Sequence, residues 1–143
     1  MENSFRSDCP VTSAIDILGD KWTLVIVRDL LIVGKKTFKD FSDSDEKIAS
    51  NILASRLKHL ERYGIVTKSK LPNNKKTIVY KLTEKGVALA PIVAEIILWS
   101  DANIREFNPE MIINEEILAS LKADSKKAIT AIQDNYTNNH KEV

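Results

Sequence analysis

The side chains that could react or bind a ligand are one cysteine, two histidines and a group of polar and basic residues in the middle of the chain. Cys9 precedes Pro10 at the predicted start of a helix, where the dipole and free N–H groups stabilise a thiolate and make it more reactive. Arg6 and Lys21 would add positive potential, whereas Asp8 opposes it. Cys9 is therefore a candidate redox or electrophile sensor; the alternative is a small residue packed beside a helix start.

Little else suggests catalysis or a bound cofactor. His59 and His140 are far apart and poorly accompanied, so both are expected at the surface and no metal site is predicted. The sequence offers no glycine-rich phosphate loop and no Ser-His-Asp or Cys-His pairing, so we predict neither an enzyme nor a cofactor. A thiol enzyme built on Cys9 stays an alternative, although it lacks an evident base.

The richest pattern lies between Ile48 and Leu82, where a helix is predicted up to about Tyr63. Leu53, Leu57 and Leu60 recur at helical spacing and form a narrow apolar stripe facing the core. The opposite face is polar or basic without an acidic residue, and comprises Asn51, Ser55, Lys58 and Arg62, with His59 at its margin. Such a face suits the major groove of DNA, where side chains read base edges and cations meet phosphates. The alternative is an ordinary solvated helix face.

A basic hairpin is predicted directly after this helix. Strands are expected over Ile65–Leu71 and Thr77–Leu82, joined by the turn residues Pro72-Asn73-Asn74-Lys75. In the second strand Ile78, Tyr80 and Leu82 alternate with Val79 and Lys81, as in a strand with one buried face. Lys75 and Lys76 follow the turn. A polar helix followed by a basic hairpin predicts a winged helix-turn-helix; a charged edge that prevents strand pairing is the alternative.

Charge is unevenly distributed along the 143 residues, although the net charge is only +1. Residues 35–81 contain 12 basic and 5 acidic residues, a net charge of +7, whereas residues 83–143 contain 6 and 10, a net charge of −4. Local potential attracts a polyanion, so the positive segment favours DNA as partner. With 43% hydrophobic residues the chain is large enough for a core. A single cysteine, no signal peptide and no apolar run of membrane-spanning length predict a cytoplasmic protein.

The remaining elements are predicted to be mostly helical. A long helix predicted over Glu84–Ile104 has more apolar surface than one stripe requires. It therefore either folds over the core or packs on a second copy of the chain. In chain order we predict a helix from Cys9-Pro10 to Gly19, a buried helix Trp22–Val33, an edge strand Lys35–Thr37, a short helix Phe38–Phe41, an acidic loop Ser42–Glu46, a long helix Glu84–Ile104 kinked at Pro91, one or two helices with Ile113, Ile117 and Leu121 on one side, and a disordered end from about Thr137.

Several separated motifs follow one another in a characteristic order. They are CPVTSAIDILGDKWTLVIVRDLL, Phe38-Lys39-Asp40-Phe41, SRLKHLERYGIV and VYKLTEKG, which lie between Cys9 and Gly86. In these motifs the chain resembles the HxlR-type (DUF24) family of bacterial winged-helix regulators, relatives of the MarR group, and the resemblance covers the range from Cys9 to Ser100. The resemblance implies a homodimer that binds an inverted-repeat operator, usually as a repressor. It also implies sensing of quinones, aldehydes or oxidants through a cysteine at the position of Cys9. The acidic loop 42–46 and the tail after Asn108 depart from the family pattern.

The sequence therefore predicts a mainly α protein with a small β-hairpin wing (α+β), a dimeric winged helix-turn-helix with extra C-terminal helices. Residues 1–8 are expected to be flexible, 9–107 to form the DNA-binding and dimerisation domain, and 108–143 a helical extension with a disordered end. Two alternatives stay open: a winged-helix module that binds protein, and a regulator with a non-thiol small-molecule effector.

The predicted DNA contacts divide into two kinds. Asn51 and Ser55 are expected to reach base edges, and Ser50 at the helix N-terminus to contact a phosphate. The remaining residues are expected to contact mainly the DNA backbone, namely Arg56, Lys58, Asn74, Lys75 and Lys76.

Overall fold

The computed structural model describes residues 5–112 and 114–140, which divide into two compact units at Thr83–Glu84. The first unit contains helices α1 (Pro10–Leu18), α2 (Thr23–Arg28, continued by a π-helical turn Asp29–Val33), α3 (Phe38–Ser42) and α4 (Ser50–Arg62), and strands β1 (Val66–Leu71) and β2 (Asn74–Leu82). The second contains α5 (Glu84–Val87), α6 (Ala90–Asn103), α7 (Glu115–Ala123) and α8 (Ser125–Asn139). The described residues are mainly helical with one two-stranded antiparallel hairpin, which confirms the predicted mainly α class with a small β-hairpin.

The helix predicted over Trp22–Val33 provides much of the first unit's core. Ile26, Val27 and Leu30 are at most 2% exposed. Gly34, at φ +88°, ends the helix in the left-handed region that suits glycine. Asp29 is also buried, and its carboxylate lies 2.7 Å from Arg28 and 3.4 Å from Lys35, so its charge is paired.

The short elements between α2 and α4 position the hairpin. Thr37 accepts a hydrogen bond from the N–H of Asp40, whose carboxylate accepts from the N–H of Thr37, and this capping box starts α3. The edge strand predicted at Lys35–Thr37 is reduced to one bridge between Thr37 and Val79, supported by a 2.8 Å hydrogen bond from the Tyr80 N–H to the Lys36 carbonyl. A single bridge therefore replaces the short edge strand that was predicted, because the capping box turns the chain into a helix directly after Thr37.

Helix α4 and the hairpin follow the predicted order. Leu53, Leu57 and Leu60 are at most 2% exposed, and Gly64 takes a φ of +72° between the helix and β1. In β2, however, Ile78 is exposed and Val79 is buried, which corrects the predicted buried face. The ring of Tyr80 contacts that of Phe41 edge-on at 6.1 Å, and Ile78 lies beyond this contact, nearer the hairpin tip.

In the second unit the predicted long helix is divided. The helix is interrupted at Ala88–Leu89, and Pro91 lies in the first turn of α6, where its missing N–H is harmless; the predicted kink at an interior proline was wrong. By length and composition the segment Glu84–Asn103 is apolar enough to cross a membrane, a property that the sequence analysis overlooked.

The C-terminal helices pack on α6. Ala94 of α6, Leu121 of α7 and Ala128 of α8 form a buried cluster, joined by the partly buried Ile97, Leu98, Ile117 and Ile129. This packing explains why the compact units divide before α5 rather than after residue 107, where the sequence analysis divided the chain.

The end of α8 differs from the prediction. Helix α8 continues to Asn139, so Thr137–Asn139 are helical where disorder was predicted. Tyr136 is buried near this end, and its ring stacks on that of His140 with 4.0 Å between the ring centroids. Ile113, expected on the apolar side of these helices, lies outside the described residues.

Candidate nucleic-acid interface and thiol site

The side of α4 opposite its buried leucines is polar and open to solvent. Ser50, Asn51, Ser55 and Lys58 are all exposed, as the DNA-contact prediction requires. Ala49 precedes the helix without a side-chain cap, so the N–H groups of the first turn are not satisfied by their N-cap residue. This end of α4 therefore offers hydrogen-bond donors together with a positive helix dipole.

Arg56 is engaged within the protein rather than projecting into solvent. Its Nη1 lies 3.4 Å from the carboxylate of Asp20, and its Nη2 donates a 3.4 Å hydrogen bond to Ser55. Asp20 also accepts hydrogen bonds from the N–H groups of Trp22 and Thr23 at the start of α2. Arg56 therefore orients Ser55 and ties α4 to the start of α2, a role that its charge alone did not reveal.

The tip of the hairpin is shaped by Asn74. Its Nδ2 donates to the Thr77 hydroxyl at 2.9 Å, and its Oδ1 accepts from the N–H of Lys76 at 3.1 Å. Asn74 thus fixes the turn, while Lys75 and Lys76 project from it as exposed cations. The sequence analysis placed all three residues at the DNA backbone without separating these two roles.

A run of contacts joins the N-terminal segment to α4. The ring of Phe5 contacts Tyr63 edge-on at 6.4 Å, the Ile17 carbonyl lies 2.8 Å from Nε2 of His59, and Asp20 pairs with Arg56. The three α4 partners, Arg56, His59 and Tyr63, are spaced by three and four residues and so share one side of the helix. We call this side the α1-facing side.

One prediction is corrected by this run of contacts. His59 is partly buried and bonded, not a surface histidine. Helical spacing could have grouped Arg56 with His59 and Tyr63. Their partners could not be read from the sequence, because one of them is a main-chain carbonyl 42 residues away.

Cys9 is exposed and is the N-cap residue of α1. Hydrogen bonds from the N–H and the hydroxyl of Thr12, and from the N–H of Val11, lower the pKa of the Cys9 thiol from its ordinary value. Arg6, by contrast, is paired with Asp16, so its charge is already compensated. The thiolate is therefore stabilised mainly by the helix start.

Across residues 5–112 and 114–140, no group of three or more His, Cys, Asp and Glu side chains is arranged to hold a metal ion.

Comparison with known proteins places this architecture among regulators. The family model described as HxlR-like helix-turn-helix matches residues 17–108. The HTH-type transcriptional regulator YodB of Bacillus subtilis is 38% identical over 94 residues, which cover 65% of this chain and 83% of YodB. Cys9 precedes the range matched by the family model.

Solved structures agree with the sequence comparison. A quinone-bound form of YodB is 37% identical, with 66% of this chain and 98% of that chain covered and a TM-score of 0.55. The oxidised form of the redox regulator HypR is 33% identical, with 66% of this chain and 97% of that chain covered and a TM-score of 0.59.

The environment of Cys9 predicts enhanced thiol reactivity at neutral pH. Because a lowered pKa increases the thiolate fraction, alkylation by iodoacetamide should reach its half-maximal rate at a lower pH in the folded chain than in urea. Thr12→Ala removes the hydroxyl donor and should move this midpoint upward, whereas Ser13→Ala is the neighbouring control. Equal midpoints for folded and unfolded wild-type protein would contradict the prediction.

Proposed function

The chain belongs to the HxlR-like helix-turn-helix family, whose members are transcriptional regulators and not enzymes, and from this premise we propose its mode of action. It binds an inverted-repeat operator in double-stranded DNA as a homodimer, acts as a repressor in the cytoplasm, and responds to oxidants or electrophiles through Cys9. The observation that supports DNA binding is the exposed polar face of α4, together with two exposed lysines at the tip of the hairpin that follows it in the chain.

The DNA contacts follow from the chemistry of this face. Asn51 and Ser55 point away from the leucine stripe and read base edges, and Ser50 with the first-turn N–H groups holds a phosphate. Lys58, Lys75 and Lys76 add phosphate contacts, and Arg56 joins them at the cost of its pairing with Asp20. Asn74 supports the backbone contact by holding the wing tip in shape.

The main competitor is a winged-helix module that binds protein through the same surface. Such binding does not release counterions from a polyanion, so its dependence on salt is shallow, whereas each phosphate contact steepens the dependence of DNA binding. A regulator with a non-thiol effector is a narrower alternative, and it would retain its response after Cys9 is replaced.

Replacement of both wing-tip lysines by alanine tests whether the wing contacts DNA phosphates. Lys75→Ala/Lys76→Ala should weaken binding to all duplex sequences, and each lost phosphate contact should reduce the slope of log K against log salt concentration by about 0.9. The matched control is Lys126→Ala/Lys127→Ala, an equally exposed lysine pair on α8. Affinity and slope measured by fluorescence anisotropy should change only for the wing variant; an unchanged slope there would exclude the wing contacts.

A homodimer is supported by apolar side chains that remain exposed. On α6, Ile92, Ile96 and Trp99 are 40%, 45% and 60% exposed and follow the i, i+4, i+7 spacing of one stripe. Val11 and Ile15 form a second exposed pair one turn apart on α1. One recognition helix also covers too few base pairs for specificity, and two helices about 34 Å apart would match successive major grooves.

A charge in the α6 stripe should dissociate the dimer. Ile96→Glu should sediment as a monomer at micromolar concentration, because burying an unpaired carboxylate in an apolar interface is costly, and it should lose most of its operator affinity. Ile112→Glu, at a 96% exposed isoleucine outside the stripe, is the control. If wild type itself sediments as a monomer with operator DNA present, the dimer proposal fails.

Modification of Cys9 by an oxidant can alter the position of α4 through the N-terminal segment. Since the chain has one cysteine, its thiolate can form an intersubunit disulfide, a mixed disulfide or an adduct. Each product alters the start of α1. The segment that contains α1 is held to α4 through Phe5 before the helix, Ile17 at its end and Asp20 after it. Displacement of these contacts would shift Arg56 and with it the orientation of Ser55.

Diamide or quinone treatment should therefore change the operator affinity of wild type but not of Cys9→Ser. His59→Ala should react at Cys9 at the wild-type rate yet respond less, because the bond to the Ile17 carbonyl is lost. Mass spectrometry measures the modification and anisotropy the affinity, and Lys58→Ala controls for a weakened DNA interface with the α1-facing side intact. Identical responses of wild type and Cys9→Ser would remove Cys9 from the mechanism.

A further inference from the structure

One apolar side chain lies among the polar residues at the start of α4. The structure describes α4 in full, and within it Ile52 is the large apolar residue that remains exposed, at 38%, whereas Leu53, Leu57 and Leu60 are at most 2% exposed. Ile52 follows Asn51 directly and precedes Ser55 by three residues. Its exposed surface is available to an apolar group on a bound partner.

The position of Ile52 on the helix restricts what that partner can be. At 100° per residue Ile52 lies on the same side of α4 as Arg56 and His59, one turn nearer the N-terminus and about 60° from Ser55 on the outward face. It belongs to the first turn, and the N-terminal residues of a recognition helix are those that contact base edges in the major groove. Ile52 is thus next to the two side chains proposed to contact bases.

The major groove offers one apolar group on a base edge, the C5-methyl of thymine. From this match, which rests on the proposed function, we infer that Ile52 is a specificity-determining residue that packs on a thymine methyl in each operator half-site. Asn51 and Ser55 supply hydrogen bonds, and Ile52 supplies the apolar contact that distinguishes thymine from cytosine at one position.

The size of the effect follows from the area removed from water. Loss of one methyl group from an apolar contact costs about 0.8 kcal/mol, which corresponds to about a fourfold loss of affinity for each half-site altered. Deoxyuracil lacks this methyl and keeps the hydrogen-bonding pattern of thymine, so the substitution isolates the apolar contact. Truncation of Ile52 should remove the sensitivity and leave the hydrogen bonds in place.

The experiment combines base and side-chain substitutions. The probe is the duplex that the full chain enriches from a random-sequence pool, with each thymine replaced in turn by deoxyuracil in both half-sites. For wild type one thymine per half-site should show the penalty, and Ile52→Ala should bind the thymine and uracil duplexes equally. Ile52→Val keeps a branched apolar group and should retain most of the penalty, whereas Ile112→Ala, at an exposed isoleucine outside α4, should behave as wild type.

The possible outcomes distinguish failure of this inference from failure of the proposed DNA-binding function. If the full chain enriches no duplex over a shuffled sequence, specific DNA binding fails and the inference fails with it. If it binds specifically but no thymine shows a penalty, or Ile52→Ala keeps the full penalty, only the role of Ile52 is overturned. Thermal unfolding and affinity for the shuffled duplex, both unchanged in Ile52→Ala, show that the fold and the phosphate contacts persist.

Discussion

Burial of the leucine stripe on α4 is the constraint on which the remaining structure depends. Leu53, Leu57 and Leu60 each gain about 1.5–3 kcal/mol from removal from water, and together they fix the rotation of the helix about its axis. Once that rotation is fixed, the outward face and the α1-facing side are assigned to different partners. A turn of the helix by one residue would expose a leucine and bury a polar side chain, so the division of roles is stable.

The sequence was sufficient wherever a pattern is local. The spacing of three leucines, Gly64 after α4, and the Phe38–Phe41 segment predicted the positions of α3 and α4, because helix periodicity and stop signals are carried by neighbouring residues. The hairpin was found for the same reason, since Pro72 and the asparagines after it mark a turn. The outward face of α4 followed directly from the position of its buried face.

Predictions failed where a partner distant in sequence decides the outcome. His59 was expected at the surface because its partner, the Ile17 carbonyl, has no signature in the sequence. The pairing of Arg56 with Asp20, 36 positions earlier, likewise cannot be inferred from charge alone, and the DNA contact of Arg56 stays a prediction. In β2, whether Ile78 or Val79 is buried depends on how far the hairpin projects beyond the core. The alternation of apolar and polar residues does not specify that distance.

The acidic loop before α4 has an electrostatic consequence. Glu46 accepts hydrogen bonds from two nitrogens of Arg28, at 2.9 and 3.0 Å, and Ser44 is 7% exposed, so the loop is fastened to the body of its unit. Its compensated carboxylate contributes little to the long-range field, although Asp43 and Asp45 remain negative. Encounter with a polyanion is accelerated by an uninterrupted positive potential. For the proposed DNA complex, Arg28 should therefore help to keep the association rate constant high, even though it lies outside the surface proposed to touch DNA.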